Sequence, residues 1–344
     1  MFPRLLVARF TRNRIQVSRL STAVATILAV VLTGITVVPV LAVPGDGHWD
    51  RQFAMAGTGN RNYSLRFNGN RLYTGGTGLQ GGQLATNTLV NIFDGTNWTT
   101  IGDITGGTTV IFDFAFIGSN VYVGGVFNQA GGIPAAGLAK WDGDRWSDVG
   151  GFGGVVFEMT TDGTNLYIGG AFANAGGILA TNIARWDGTN WSALGDGVGY
   201  YGDFIYPSVN AMAWHNGELY VGGAFTNAGA LAVMNLARWD GNSWSEVGGG
   251  VAGDPGFQTG SPVTSLLFLG DDLYVGGNFN SVGNNIPVLN VAKWDGNTWS
   301  SLGSGLKAPA NSPPVSALAF LGTDLYAAGN SHRSRHLGCR PRFP

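Results

Sequence analysis

The sequence predicts an all-β fold, a β-propeller of about six four-stranded blades with the last blade incomplete. Two recurring patterns and one compositional bias carry this expectation. The first pattern is Leu/Val-Tyr-x-Gly-Gly, at Leu72–Gly76, Val121–Gly125, Leu166–Gly170, Leu219–Gly223 and Leu273–Gly277, and in weakened form at Leu325–Gly329. Its tyrosines stand 49, 45, 53, 54 and 52 residues apart, and periods of about 50 with several short strands per unit are the mark of propeller blades. The second pattern follows 19 or 20 residues later, an aromatic, Asp-Gly and a second aromatic: Phe93 with Trp98, Trp141 with Trp146, Trp186 with Trp191, Trp239 with Trp244, and Trp294 with Trp299. The bias is 57 glycines and 11 tryptophans among 344 residues, with only 12% charged. That mixture favours tight turns and aromatic packing over helices.

The elements follow in order. Residues 1–42 read as a signal peptide or membrane anchor: Arg4, Arg9, Arg12, Arg14 and Arg19 precede an apolar run from Ala23 to Ala42 that ends in small residues. The run is long enough to span a bilayer, so an uncleaved tether is the alternative to cleavage after Ala42. Either way the repeats are expected outside the cytoplasm, secreted or held at the cell surface. Residues 43–61 read as an N-terminal strand and linker, with His48-Trp49-Asp50-Arg51-Gln52-Phe53 as the candidate strand.

Residues 62–329 form the repeats. Strand one covers segments such as Val209–Trp214, with large apolar residues at alternate positions. A tight turn such as Asn216-Gly217 leads into the Leu-Tyr-Val strand, which ends at Gly-Gly. Strand three is exemplified by Asn182–Trp186, and the following Asp-Gly turns the chain into strand four at Trp191–Leu194. One such sheet has two apolar faces, which find cover only against neighbouring sheets. The repeat tyrosines Tyr122, Tyr167, Tyr220 and Tyr274 and the tryptophan pairs are therefore expected to be structural. The sixth unit stops after its second strand, and residues 330–344 change to an aberrant basic tail holding the sole cysteine, Cys339. A frameshift or truncation is the expected origin of that tail, with a native basic tail as the alternative.

The Gly-Gly doublet after strand two and the tryptophan that opens strand four resemble the kelch repeat over residues 62–329. The longer Tyr-Val-Gly-Gly-x-Phe and Ala-Arg-Trp-Asp-Gly-x-x-Trp signature is similar to repeats of bacterial extracellular proteins related to the Rax2-type cortical polarity marker, within the galactose-oxidase-like propellers. The resemblance implies architecture more than chemistry, because such propellers host binding modules, scaffolds and a few enzymes. A copper radical oxidase of this kind needs a Tyr–Cys crosslink and two His ligands. A single cysteine outside the repeats and four histidines, two of them in the tail, do not supply these.

Candidate site residues sit on two features. The connections from strand two to three and from strand four to the next blade are long, so binding groups are expected on the face they share. There Tyr200, Tyr201, Asp203, Phe204 and Tyr206 form an aromatic platform with one acid, or a loop that packs on itself. On strand one, nine residues before each repeat tyrosine, stand Ser64, Asp113, Glu158, Ala211, Ser265 and Ala317. Asp113 and Glu158 would share a cation or a proton at an axial channel, raising one pKa, or else bond to neighbouring backbone. The Asp of each Trp-Asp-Gly is read as turn chemistry, not as a calcium ligand.

A net charge of −2 with 12% charged residues leaves no overall electrostatic case for nucleic acid, and none is expected as a partner. No metal or cofactor is expected. The expected function is non-catalytic binding or scaffolding toward a protein or polysaccharide through the long-loop face. Two alternatives are a carboxylate-based enzyme on extracellular polysaccharide and a structural surface or adhesion module.

Overall fold

A computed structural model of the chain describes residues 4–11, 14–19, 61–77, 79–80, 83–84, 87–107, 109–199, 207–253, 262–306, 315–321 and 323–331. The segment His48–Phe53, the apolar run 23–42, the loop 200–206 and residues 332–344 lie outside them. What is described is all-β, made of successive antiparallel sheets.

Module three shows the pattern. Strand one (Val155–Thr161) pairs with strand two (Leu166–Ala171), that with strand three (Ile183–Trp186), and that with strand four (Trp191–Ala193). Modules four and five repeat this order, starting from Ser208–His215 and Val263–Leu269. Modules one and two, starting from Arg61–Asn68 and Val110–Ile117, are joined into one larger sheet through Thr77 opposite Val110. The sixth sheet is different. Ala317–Leu321 and Asp324–Ser331 are its first two strands, and Arg4–Thr11 and Arg14–Arg19 are the two outer ones.

Apolar alternation builds the sheets, and burial happens between them. Each cluster of buried residues spans two consecutive modules: Tyr122 and Leu138 with Val156 and Met159 for modules two and three, and Tyr167 and Ile183 with Val209 and Met212 for three and four. Repeat tyrosines pack on an aromatic of the next module's first strand: Tyr73 on Phe116 at 4.8 Å, Tyr167 on Trp214 at 5.1 Å, Tyr220 on Phe268 at 4.9 Å and Tyr274 on Phe320 at 5.0 Å between ring centroids.

The tryptophans supply a second, polar staple. Within each turn the two rings lean together, as Trp186 and Trp191 do at 5.1 Å, Trp141 and Trp146 at 5.5 Å, Trp239 and Trp244 at 5.2 Å, and Trp294 and Trp299 at 5.3 Å. The strand-four indole then donates to a carbonyl of the preceding module. Trp146 reaches Ile101 (2.7 Å), Trp191 reaches Val149 (3.1 Å), Trp244 reaches Leu194 (2.8 Å) and Trp299 reaches Gly248 (2.8 Å). A donor that would be costly to bury unpaired is thereby satisfied, and the same bond fixes the spacing of neighbours.

Consecutive first strands also pack against one another from module one to module six. That contact sets the first strands side by side, consistent with a propeller-like fold.

Candidate functional site

The Gly-Gly doublet sets the local geometry of the axial positions. A Cβ on its second glycine would strike the first strand's own backbone, as at Gly170 against the carbonyl of Val155. A Cβ on the first would strike the next module's first strand, as at Gly124 against Val156 Cγ1, 2.7 Å away. The close approach coincides with a register shift between Val156 and Glu158, which puts Glu158 opposite Gly169; shifts at the same place put Ser64 opposite Gly75, Asp113 opposite Gly124, Ala211 opposite Gly222 and Ser265 opposite Gly276. Such bulges re-aim a side chain and leave part of the ladder unpaired. All five positions lie near the end of the sheet from which the long connections depart.

At that level Asp113 and Glu158 are joined by a group the sequence reading passed over, Arg66. Its Nε donates to Asp113 Oδ1 at 2.8 Å and its NH2 group to Glu158 Oε1 at 2.7 Å. Asp113 also accepts from Ser64 Oγ at 3.4 Å, and its other oxygen accepts from the backbone N–H of Met159 at 2.8 Å. Both Asp113 oxygens are therefore engaged. The bond to Met159 shows how one module's side chain satisfies an N–H beside the next module's bulge, and Ser265 Oγ does the same for Leu318 at 3.0 Å. The Arg66–Glu158 contact links modules one and three directly.

The signal for Arg66 was present. Its equivalents two places past the repeat position are Ala115, Thr160, Ala213, Leu267 and Ala319, so a lone guanidinium stands beside the lone pair of acids.

The electrostatics follow from burial and from two acids sharing one cation. The Asp113 side chain is 2% exposed, Glu158 22% and Arg66 34%. Burial first, and the charge of Asp113 second, push the Glu158 carboxyl up to about 8, with Arg66 opposing. The carboxylates, chiefly Asp113, hold the guanidinium firmly charged against the cost of burial. At neutral pH the cluster is an Arg66–Asp113 ion pair beside a largely protonated Glu158. It is a brace across three modules with one proton held at its edge.

The long connections between strands two and three are small hairpins, for example Asn174–Ala175 with Ile178–Leu179 and Asn227–Ala228 with Leu231–Ala232. Several dock onto the segment that leads from the preceding module into their own, as Ala228 does opposite Val198. Asn182, Asn235 and Asn290 lock this joint. Each adopts a left-handed backbone, with φ of 63°, 59° and 65°. Their side-chain oxygens accept from the N–H of Phe172, Phe225 and Phe279, and their amides donate to the carbonyls of Val198, Val251 and Leu306. The sequence reading took Asn182 only as the start of a strand; the recurrence of Asn before the first apolar residue of strand three was the available sign.

The Asp of each Asp-Gly turn accepts from the two N–H groups that follow, at 2.8 and 2.7 Å for Asp94, and these bonds hold its carboxyl below the usual range. That is Asx-turn chemistry. The aromatic loop with Tyr200, Tyr201, Asp203, Phe204 and Tyr206 lies outside the described residues. Among the described residues, large apolar side chains are exposed at Leu179, Leu231, Met234, Ile286 and Leu269, and the first four belong to the strand-two-to-three connections of modules three, four and five.

No family model matches the chain, and no curated protein matches it. Among solved structures it is similar to the computationally designed Ika8 protein, at 15% identity over 79% of this chain and 94% of that one, with a TM-score of 0.43. It is also similar to a chain in the crystal structure of the Mitotic Checkpoint Complex, at 14% identity over 80% of this chain and 78% of that one, again with a TM-score of 0.43. The packing of the chain's own sheets, first strand against first strand, is what makes it an all-β repeat protein of propeller-like build.

Proposed function

We propose that the chain is a kelch-like propeller of six blades that serves as a non-catalytic binding scaffold, and that it takes a protein partner on the face formed by the long connections. One observation carries the reading. Four of the five exposed large apolar side chains among the described residues, Leu179, Leu231, Met234 and Ile286, recur on that face in three consecutive modules. Apolar side chains held on rigid hairpins along one rim suit a protein surface, since apolar groups displayed together mark interaction sites.

The engagement of Asp113 and Glu158 by Arg66 supports scaffolding over acid–base catalysis, because both acids are committed to a side chain of another module. A polysaccharide ligand rests on the sequence of the loop with Tyr200, Tyr201, Asp203, Phe204 and Tyr206 alone. Export or tethering of the repeats outside the cytoplasm is one fate of residues 1–42. Incorporation of Arg4–Arg19 into the sixth sheet is another, and one molecule does not undergo both.

The test is an affinity capture from the producing cells, with the partner then purified and titrated against variants. Leu179→Asp, Leu231→Asp and Ile286→Asp are expected to weaken binding at least tenfold while Leu269→Asp, at the opposite end of its sheet, binds as wild type. Equal binding by all four variants refutes the assigned face. Turnover of a polysaccharide that is lost in Glu158→Gln refutes the non-catalytic reading.

A further inference from the structure

We infer that the cleft between modules four and five is a subsite for one neutral sugar residue, which Glu246 and Arg238 hold by its hydroxyls while its apolar face rests on Trp294. The site is separate from the face formed by the long connections and goes beyond the scaffold reading. Tyr220, Arg238, Glu246 and Gly248 of module four line it on one side, and Trp294 and Gly296 of module five on the other. It encloses about 70 Å³ and opens to solvent on one side.

Strand register brings these groups together. Arg238 stands opposite Tyr220, and Glu246 stands opposite Ala237 on the next strand. Glu218 Oε2 accepts from the Arg238 NH1 group at 3.1 Å and from the Tyr220 hydroxyl at 3.2 Å, which pins the guanidinium in place. The Nε of Arg238 is buried without a hydrogen-bond partner, so the group keeps donor capacity that its own chain does not use. Glu246 is exposed and stands outside that triad. Across the cleft, the Trp294 ring edge rests on Gly248, where a Cβ would strike it, and the indole stays half-buried.

Among the described residues, no other junction combines a cation, a second acid and an open indole. Between modules one and two Trp141 is also half-buried, but Ile92 stands where Arg238 does. Between modules two and three Asp148 takes the place of Glu246. Its Oδ2, however, accepts from the N–H of Gly151 at 2.6 Å, and Trp186 is only 8% exposed. Between modules three and four Arg185 recurs with the same unpartnered Nε, but Ala193 replaces the acid and Trp239 is buried. Module five pairs Lys293 with Asp272 and has Ser301 in the acid's place. The basic residue opposite the tyrosine therefore belongs to the repeat's frame. Glu246 and the opened Trp294 are what this junction adds.

The lining selects the ligand. A free anion would meet Glu218 and Glu246, and a free cation would meet Arg238. A hydroxyl both donates and accepts, so vicinal hydroxyls satisfy the carboxylate and the guanidinium together. The indole offers an apolar surface to the C–H face of the same ring. Pockets for apolar ligands are several-fold larger and mostly apolar. One water needs about 10–15 Å³ of such space, so the hydroxyl edge of one sugar fits and a buried chain of sugars does not.

The experiment titrates the full chain with the methyl glycosides of glucose, galactose, mannose, fucose and N-acetylglucosamine. Binding is followed by tryptophan fluorescence and by saturation-transfer NMR, with acetate and arginine methyl ester as charged probes. At least one glycoside should bind with a millimolar or tighter Kd and the charged probes should not compete with it. Glu246→Ala, a change at an exposed side chain, should weaken binding by about tenfold or more with an unaltered melting curve. Asp148→Ala, at the equivalent place of module two, and Leu179→Asp, on the long-connection face, should bind as wild type. No glycoside bound at tens of millimolar, or binding unchanged in Glu246→Ala, would overturn the inference. So would displacement by either charged probe, or loss of glycoside binding in Leu179→Asp, which assigns the sugar to the other face.

Discussion

Glu158 gives the axial cluster its most readable consequence. Its carboxyl ordinarily titrates near 4.5 and is pushed up to about 8 in the folded chain. Between these values the folded protein holds a proton that the unfolded chain has released, so the sign is fixed: the stabilisation is complete below about pH 4.5, falls as pH rises, and levels off above about pH 8. The full interval bounds the loss at about 5 kcal/mol. Because the side chain keeps 22% exposure, solvent screening brings the expected loss to about 2 kcal/mol. Glu158→Gln removes the titration but keeps the shape and an oxygen for the Arg66 bond. Its melting temperature should match wild type near pH 4.5 and exceed it at pH 9 by about 3 °C for a chain of this size. The assay is thermal unfolding followed by near-UV circular dichroism from pH 4.5 to 9. Parallel curves for the two proteins, or a variant less stable than wild type at pH 9, would refute the reasoning.

Other perturbations follow from the same contacts. Arg66→Met leaves Asp113 buried beside an apolar chain and should cost about 3 kcal/mol in chemical denaturation; an effect below 0.5 kcal/mol contradicts its role as the brace. Gly170→Ala, whose Cβ would strike the carbonyl of Val155, should cost about 3 kcal/mol or prevent folding, whereas Gly153→Ala, with open space at its Cβ, should stay within about 0.5 kcal/mol of wild type. Asn182→Gly keeps the left-handed backbone and loses two hydrogen bonds, for an expected cost of about 1–2 kcal/mol in the same measurement.

Much of the all-β architecture was legible because it is written in local chemistry. Asp-Gly between two aromatics makes a hairpin wherever it occurs, and alternating apolar residues make a two-faced strand that needs neighbours. The Gly-Gly doublet was legible as close approach, but not as two different approaches, one to the strand's own partner and one to the next module. That distinction needs coordinates.

The equivalent places of Asp113 and Glu158 on successive first strands were legible from the nine-residue offset to the tyrosines. Arg66 stood out as the one guanidinium at its repeat place, but its role depends on a partner 92 residues away in another module. Asn182, Asn235 and Asn290 were hidden for a similar reason: each bonds a carbonyl of the following inter-module segment.

The contact between modules one and three tests most directly whether the sheets share an axis. A double-mutant cycle on Arg66→Met and Glu158→Gln, run at pH 9 where Glu158 is ionised, measures it. Modules set around one axis predict a coupling of at least about 1 kcal/mol between residues that far apart in sequence. Additivity within about 0.5 kcal/mol, as expected of modules strung in a line, would contradict it.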